Sequence, residues 1–287
     1  MDYRGRFAPS PTGHLHFGSL VAAVASWLCA RHAGGTWLLR MEDIDPPREV
    51  AGSAASILAA LPAFGLHADE PVLFQSQRAD AYHAAFERLR AADRIFPCWC
   101  SRSELAAGGG IHRDGQCIAP PRTGLPAAWR LRVPNEVIRF HDALQGPQQQ
   151  NLRDEVGDFV IRRVEGFYSY QLACVVDDAS QGITEVVRGH DLLDSTARQI
   201  WLQRCLDLPT PAYRHLPLAL DAQGRKLSKS TQACPVDPAT PLPALRRALT
   251  FLGLAPSSAT TPAALLEHAL EYFDPDVLPH CSGYSAT

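Results

Sequence analysis

Residues able to do chemistry concentrate in two short stretches far apart in this 287-residue chain. The first is Arg6-Phe7-Ala8-Pro9-Ser10-Pro11-Thr12-Gly13-His14-Leu15-His16-Phe17-Gly18-Ser19. A short apolar segment runs into a Pro/Gly turn, two histidines follow, and a helix-like run spans Leu20 to Arg31. Strand, turn and helix N-terminus in that order collect phosphate in α/β folds, because free backbone N–H groups and the helix dipole face the ligand. His14 and His16 stand where that phosphate would lie. Gly18 has no side chain and lets a ligand approach the backbone closely. Alone, an H-x-H beside a glycine is equally a turn with two solvated histidines. The second stretch, Lys226-Leu227-Ser228-Lys229-Ser230, reads alone as a polar surface loop.

Two further groups carry chemistry. Cys98-Trp99-Cys100 is followed by Ala106-Ala107-Gly108-Gly109-Gly110 and by His112-Arg113-Asp114-Gly115-Gln116-Cys117. Three thiols, two of them one residue apart, suggest a structural, tetrahedral Zn2+ site. His112 is the nearest candidate for the fourth ligand, water is another, and three reduced cysteines without metal are the alternative. Glu42, Asp43 and Asp45 end a strand-like Thr36–Met41, on the ligand-binding edge if the sheet is parallel; an acidic loop capping the next helix is the competing reading. The other cysteines are scattered, several in apolar runs, as reduced buried thiols are.

The elements that must position these groups alternate. Glu49 to Phe64 reads as a helix, Val72-Leu73-Phe74 as a short strand, and Ser76 to Ala92 as an amphipathic helix with Tyr82, Phe86 and Leu89 at 3–4 spacing. Strand and helix in alternation predict an α/β fold built on a doubly wound parallel sheet. Trp129–Val133 and Val137–Phe140 alternate polar and apolar residues, as antiparallel strands do, and are assigned to an inserted subdomain. Beyond the polar loop Gly146–Asn151, residues Arg153, Arg162 and Arg163 form the best local basic patch for RNA phosphates, or a solvated face. The second half of the sheet is expected to start near Tyr168–Asp178. It continues through Gly182–Asp191 to a helix over Leu192–Cys205. Tyr170 would serve equally as a core aromatic, whereas Arg188 after a buried strand needs a partner, because an unpaired charge there is costly. Pro241–Leu252 and Pro262–Leu270 read as two short helices.

Together and in this order, His16-Phe17-Gly18-Ser19 and Lys226–Ser230 resemble the two signature elements of class I aminoacyl-tRNA synthetases. The longer Pro-Ser-Pro-Thr-Gly-x-Leu-His form resembles the glutamyl branch. The resemblance implies a Rossmann-like catalytic domain with His14, His16, Lys226 and Lys229 as catalytic residues and His16, Gly18, Ser19 and Lys229 on ATP. It places glutamate against Arg6, Ala8, Ser10, Glu42, Tyr170 and Arg188, with Glu42 facing the α-ammonium. It implies Mg2+ with ATP and a zinc site on Cys98, Cys100 and Cys117. Here the sequence departs from the family pattern, since Arg113 stands where a ligating tyrosine is usual and His112 lies one residue away.

The expected organisation is residues 1–94 for the first half of the catalytic domain, 95–150 for the inserted zinc-containing α+β subdomain, 151–235 for the second half with the Lys226–Ser230 loop, and 236–287 for a short helical extension. The last segment is too short for an anticodon-binding domain. Over nearly its whole length the chain resembles the glutamyl-queuosine tRNA(Asp) synthetase family, a free-standing catalytic domain that attaches glutamate to the queuosine base in the anticodon loop of tRNA(Asp). Alternatives are a minimal glutamyl-tRNA synthetase charging a tRNA 3′ end and a non-catalytic paralogue that binds tRNA or amino acid. A nucleotidyltransferase with related chemistry is disfavoured by Glu42, Tyr170 and Arg188 together. A net charge of −3 does not advertise nucleic-acid binding, so RNA must meet a local patch. No apolar run approaches a membrane span and no signal peptide is evident. A cytoplasmic monomer without membrane contact is expected.

Overall fold

A computed structural model describes residues 2–107, 109–113, 115–122, 124–220, 235–255, 257–279 and 283–285. The segment with Lys226 and Lys229 lies outside them, so the placement of that predicted loop is not described.

The chain opens with β1 (Arg4–Phe7), α1 (Phe17–His32), β2 (Thr36–Met41), α2 (Ser53–Ala63), β3 (Leu73–Phe74) and α3 (Ala79–Ala91). Strands β1, β2 and β3 pair in parallel in the order β1-β2-β3. The later strands β9 (Glu185–Gly189) and β10 (Ala212–Leu216) also pair in parallel. The two sets meet where Thr184 N–H donates to the Arg4 carbonyl at 2.9 Å. Strands β1 and β9 thus lie side by side, and the two paired sets follow one another in the order β3-β2-β1-β9-β10, with strand order reversing between β1 and β9. In such a sheet ligands lie beyond the carboxyl ends of the strands at that reversal.

Strand periodicity divides the side chains between two faces. Phe7, Trp37, Leu39, Met41, Val187 and Leu216 join the core with α1, α2, α7 (Pro241–Phe251) and α8 (Pro262–Glu271). Leu38, Val186 and Tyr213 join the opposite core with α3, α5 (Tyr170–Ser180) and α6 (Thr196–Cys205). The same alternation carries Arg6, Arg40, Arg188 and His215 to the α5/α6 face. Each is buried.

Most expected helices are present with shifted ends. The expected start of the second half-sheet near Tyr168–Asp178 is instead helix α5, with Ser169 as its N-cap. The run Leu-Ala-Cys-Val-Val is short and apolar, and such runs do not distinguish strand from helix.

Between α3 and α5 stand β4 (Ile95–Cys98), α4 (Arg102–Ala107), β5 (Ala128–Leu131), β6 (Val137–Asp142), β7 (Gly146–Asn151) and β8 (Phe159–Arg162). An antiparallel sheet has the order β4-β5-β8. The expectation that Val137–Phe140 joins this inserted layer is not met. Hairpin β6–β7 instead continues the main sheet, because β6 lies parallel to β10 with Asp142 opposite Tyr213. The small sheet takes β8 as its third strand in place of the hairpin.

Candidate active site

One cavity of about 1060 Å³ opens at the reversal of strand order. Its floor comes from the residues that follow β1 (Ala8, Pro9, Ser10) and β2 (Glu42), from Gly189 at the end of β9, and from Leu216, Pro217 and Leu218 at and after the end of β10. Its wall includes the N-terminus of α1 through His14, His16, Gly18 and Ser19, and Tyr170 at the start of α5. Arg6 and Arg188 line it too. Ten of the sequence-predicted site residues are thus brought together. Lys226 and Lys229 lie outside the described residues, but Leu218 lines the cavity and Pro235 bridges to His16.

Helix α1 begins well for an anion site. His16 caps it in extended conformation, with its Nδ1 accepting from Ser19 N–H at 3.3 Å and its Nε2 2.9 Å from Ser19 Oγ. Acidic residues are absent from the first turn and Arg31 and His32 lie in the last, so the charges match the helix dipole. His14 Nδ1 lies 2.8 Å from Ser56 Oγ on α2.

Behind this rim lies a buried ion network that the sequence did not reveal. Asp178 Oδ1 accepts from Arg40 Nη1 at 2.7 Å and from Arg6 Nε at 3.1 Å. Arg40 Nη2 donates to Glu42 Oε1 at 3.3 Å. Tyr170, Cys174 and Asp178 recur every four residues on α5, so one helix face meets the arginine row. Burial alone would raise the Asp178 carboxyl, but Arg40 and Arg6 together hold it well below the usual carboxylate range. Burial raises Glu42, and the two arginines offset this only in part. The same burial pushes the Cys174 thiol up to about 12, leaving it an unreactive thiol.

Arg188 is held on all sides. Its Nε donates to His215 Nε2 at 2.9 Å, Nη1 to Gln199 Oε1 at 2.8 Å and to the Tyr170 hydroxyl at 3.3 Å. Its Nη2 donates to Thr196 Oγ1 at 2.9 Å and to the Leu192 carbonyl at 3.2 Å. The signal that pointed to Arg188 was a charge after an apolar strand. Its partners Thr196, Gln199 and His215, and likewise Arg40 and Asp178, lay in elements whose facing could not be read without the sheet order.

At the cavity mouth Asp45 joins two arginines. It pairs with Arg48, and its Oδ1 accepts from Arg163 Nη1 at 3.0 Å. Arg163 thus contributes to the rim of the site as well as to the predicted basic patch.

The cysteines form a second centre. The ligand atoms of Cys98, Cys100 and Cys117 all lie within 4.8 Å of one another. Cys100 Sγ and Cys117 Sγ are 3.7 Å apart, close to the ~3.8 Å edge of a tetrahedron with Zn–S bonds near 2.3 Å. The three thiols fit that metal. His112 is not part of the group. Its Nδ1 pairs with Asp158 Oδ2 at 2.9 Å and its ring packs on Phe96. The expectation of His112 as fourth ligand is not met, because its ring lies outside the cysteine cluster, although its buried Nε2 has no hydrogen-bond partner among the described residues.

Residues 2–240 match the family model for the catalytic domain of class I tRNA synthetases (E and Q). A glutamyl-Q tRNA(Asp) synthetase of Xanthomonas campestris pv. campestris strain 8004 is 56% identical over 290 residues, spanning 100% of this chain and 96% of its own. One from Burkholderia cenocepacia J2315 is 59% identical over 264 residues, covering 88% of this chain and 89% of its own. Among solved structures, a glutamate tRNA ligase from Elizabethkingia meningosepticum, in complex with its amino acid, superposes with a TM-score of 0.82 at 26% identity. That match spans all of this chain and 67% of the ligase.

Proposed function

The chain belongs to the class I tRNA synthetases of the glutamate and glutamine branch, a family of ligases, and from that premise we propose the following reaction. The protein activates L-glutamate with ATP as glutamyl adenylate, then transfers the glutamyl group to the queuosine base in the anticodon of tRNA(Asp). The observation that carries the first half is the cavity at the strand reversal, where Glu42, Arg6, Arg188 and Tyr170 stand beside the N-terminus of α1. The second half rests on full-length relatives of that name.

In the first step a carboxylate oxygen of glutamate attacks the α-phosphorus of ATP, and pyrophosphate leaves. This step needs alignment and neutralisation of growing charge more than covalent help. Glu42 pairs with the α-ammonium. Arg6 and Arg188 complement the two substrate carboxylates, with Ser10 and Tyr170 as hydroxyl partners. Glutamine is disfavoured, because an arginine facing a neutral amide loses a charge-assisted pair. The α1 N-terminus, with His14, His16 and Ser19, receives the phosphates, and Lys229 follows the leaving pyrophosphate. In the second step a hydroxyl on the cyclopentene ring of queuosine attacks the adenylate carbonyl, and AMP leaves.

Mg2+ supplies charge neutralisation on the triphosphate. Mg2+ would be held chiefly by the phosphates of ATP and by water. Zn2+, held by Cys98, Cys100 and Cys117, would clip the inserted subdomain without entering the reaction. The patch of Arg153, Arg162 and Arg163, of which Arg163 lines the cavity, would meet RNA phosphates.

Pyrophosphate exchange tests the activation step. Glutamate should drive exchange and glutamine should not, and Lys229→Ala should abolish it in a folded protein. Exchange driven equally by glutamine, or unchanged in Lys229→Ala, would reject the assignment.

A further inference from the structure

Behind Arg188 lies a buried relay that the reaction above does not use. His215 is fully buried, and its Nδ1 lies 2.5 Å from Asp142 Oδ2. Asp142 Oδ1 accepts from the backbone N–H groups of Leu144 and Gln145, at 3.0 and 2.9 Å, and of His215 at 3.2 Å. The tight turn between β6 and β7 thus fixes Asp142, and Asp142 fixes His215.

The tautomer follows from the partner. A guanidinium can only donate, so His215 Nε2 must accept from Arg188 Nε, and Nδ1 must carry the proton given to Asp142. Arg188 commits each of its five N–H groups to a protein partner. Of these, the bond to the Tyr170 hydroxyl is the longest and lies on the cavity side. A substrate carboxylate can take the place of that bond while Nε and Nη2 stay anchored. A second proton on His215 would turn its Nε2 from acceptor into donor and set two cations side by side.

We propose that His215, oriented by Asp142, is the positioning residue that aims Arg188 at the substrate carboxylate, and that glutamate capture is lost when His215 becomes protonated. This rests on the reading of Arg188 as a glutamate-binding group. The groups around His215 are known from every side. Asp142 comes from β6, Arg188 from β9, His190 from the turn after β9, and the Tyr213 ring of β10 stacks at 6.1 Å. Burial lowers the imidazole below its ordinary pKa, Arg188 and His190 push the same way, and Asp142 opposes them. His215 is therefore neutral at pH 7, and the loss belongs to the acid side.

The test is glutamate-dependent pyrophosphate exchange, with KM for glutamate and for ATP measured separately between about pH 5 and 8. Asp142→Asn retains an oxygen for the turn, but its amide donates to Nδ1 and forces the proton onto Nε2, against Arg188. It should raise the glutamate KM about tenfold or more and leave the ATP KM in place. His215→Gln keeps an oxygen near the position of Nε2 and cannot be protonated. It should keep the glutamate KM within about threefold of the unaltered protein and remove the part of the acid rise in glutamate KM that His215 causes in the unaltered protein. A folded Asp142→Asn with unmoved glutamate KM, or a His215→Gln that keeps the acid rise, overturns the inference. If neither variant folds, a glutamate KM in the unaltered protein that stays flat from about pH 8 down to about pH 5 overturns it as well. Absence of any glutamate-dependent exchange in the unaltered protein would reject the activity, and this inference with it. Normal exchange with insensitive variants rejects the inference alone.

Discussion

Arg6 and Arg40 stand on neighbouring strands, and Asp178 binds both. Breaking such a group leaves two guanidinium charges buried without their counter-ion. Asp178→Ala should therefore cost ~3–5 kcal/mol, read by urea unfolding near neutral pH. The pH dependence has a definite sign. The folded-state pKa of Asp178 is depressed, so its stabilisation is fully present above the unfolded carboxylate value, ~3.9, and is lost as pH falls below it. The stability gap between the unaltered protein and Asp178→Asn should shrink as the solution is acidified below about pH 4. A constant gap would mean that Asp178 is not the anion of this network. Glu42 acts in the opposite sense. Its folded-state pKa is raised, so burial of its charge opposes folding at neutral pH and is relieved on acidification. Once protonated, Glu42 no longer pairs with an ammonium. At this scale the sequence was legible where a residue type announced itself in a motif, as with His16, Glu42 and Arg188. It was silent on Arg40, Asp142, Asp178 and His215, because a buried charge is recognisable only by a partner more than a hundred residues away or on another element. His112 shows the converse. Its spacing suited a metal ligand, but its ring lies outside the cysteine cluster, with Nδ1 paired to Asp158, 46 residues on.

Elements were legible in proportion to their local signal. Helix α3 was read from its 3–4 pattern, and α7 and α8 were read as two short helices; all three lie close to the expected spans. Helix α5 was misread because its apolar run is short. Its usable signals were the capping Ser169 and the four-residue spacing of Tyr170, Cys174 and Asp178. Strand β6 was recognised as antiparallel, but its partner β7 was read as a polar loop, because Gly146–Asn151 carries no apolar alternation; which sheet the hairpin joins depends on β10, more than sixty residues later. Two predictions belong to this scale. Gly157 adopts φ +70°, and a Cβ there would lie 2.2 Å from Ile111 Cγ2 and 2.4 Å from the His112 carbonyl oxygen. Gly157→Ala should loosen the subdomain around Asp158, seen as faster amide exchange over residues 109–113 and 157–162; unchanged exchange would show that the loop accommodates a methyl. Elemental analysis should find about one zinc per chain, lost in Cys100→Ser. A protein equally stable and metal-free in both forms would leave the three thiols as reduced cysteines.

The whole molecule joins these scales through one topological fact, the reversal of strand order between β1 and β9. It brings residues from both halves of the parallel sheet into a single cavity, and it lets period-2 alternation line up Arg6, Arg40, Arg188 and His215 on one face. The doubly wound α/β character could be anticipated from alternating strands and helices, whereas the division of residues 95–162 between two sheets could not. Among the described residues no helix is long and apolar enough to cross a membrane. The acceptor is the most consequential part of the account, and one measurement addresses it directly. Labelled glutamate and ATP are offered with two tRNA pools, one carrying queuosine and one lacking it. The account predicts label only on tRNA(Asp) from the queuosine-containing pool. Equal labelling of glutamate-specific tRNA in both pools would contradict it and make the protein a minimal synthetase acting on the tRNA 3′ end.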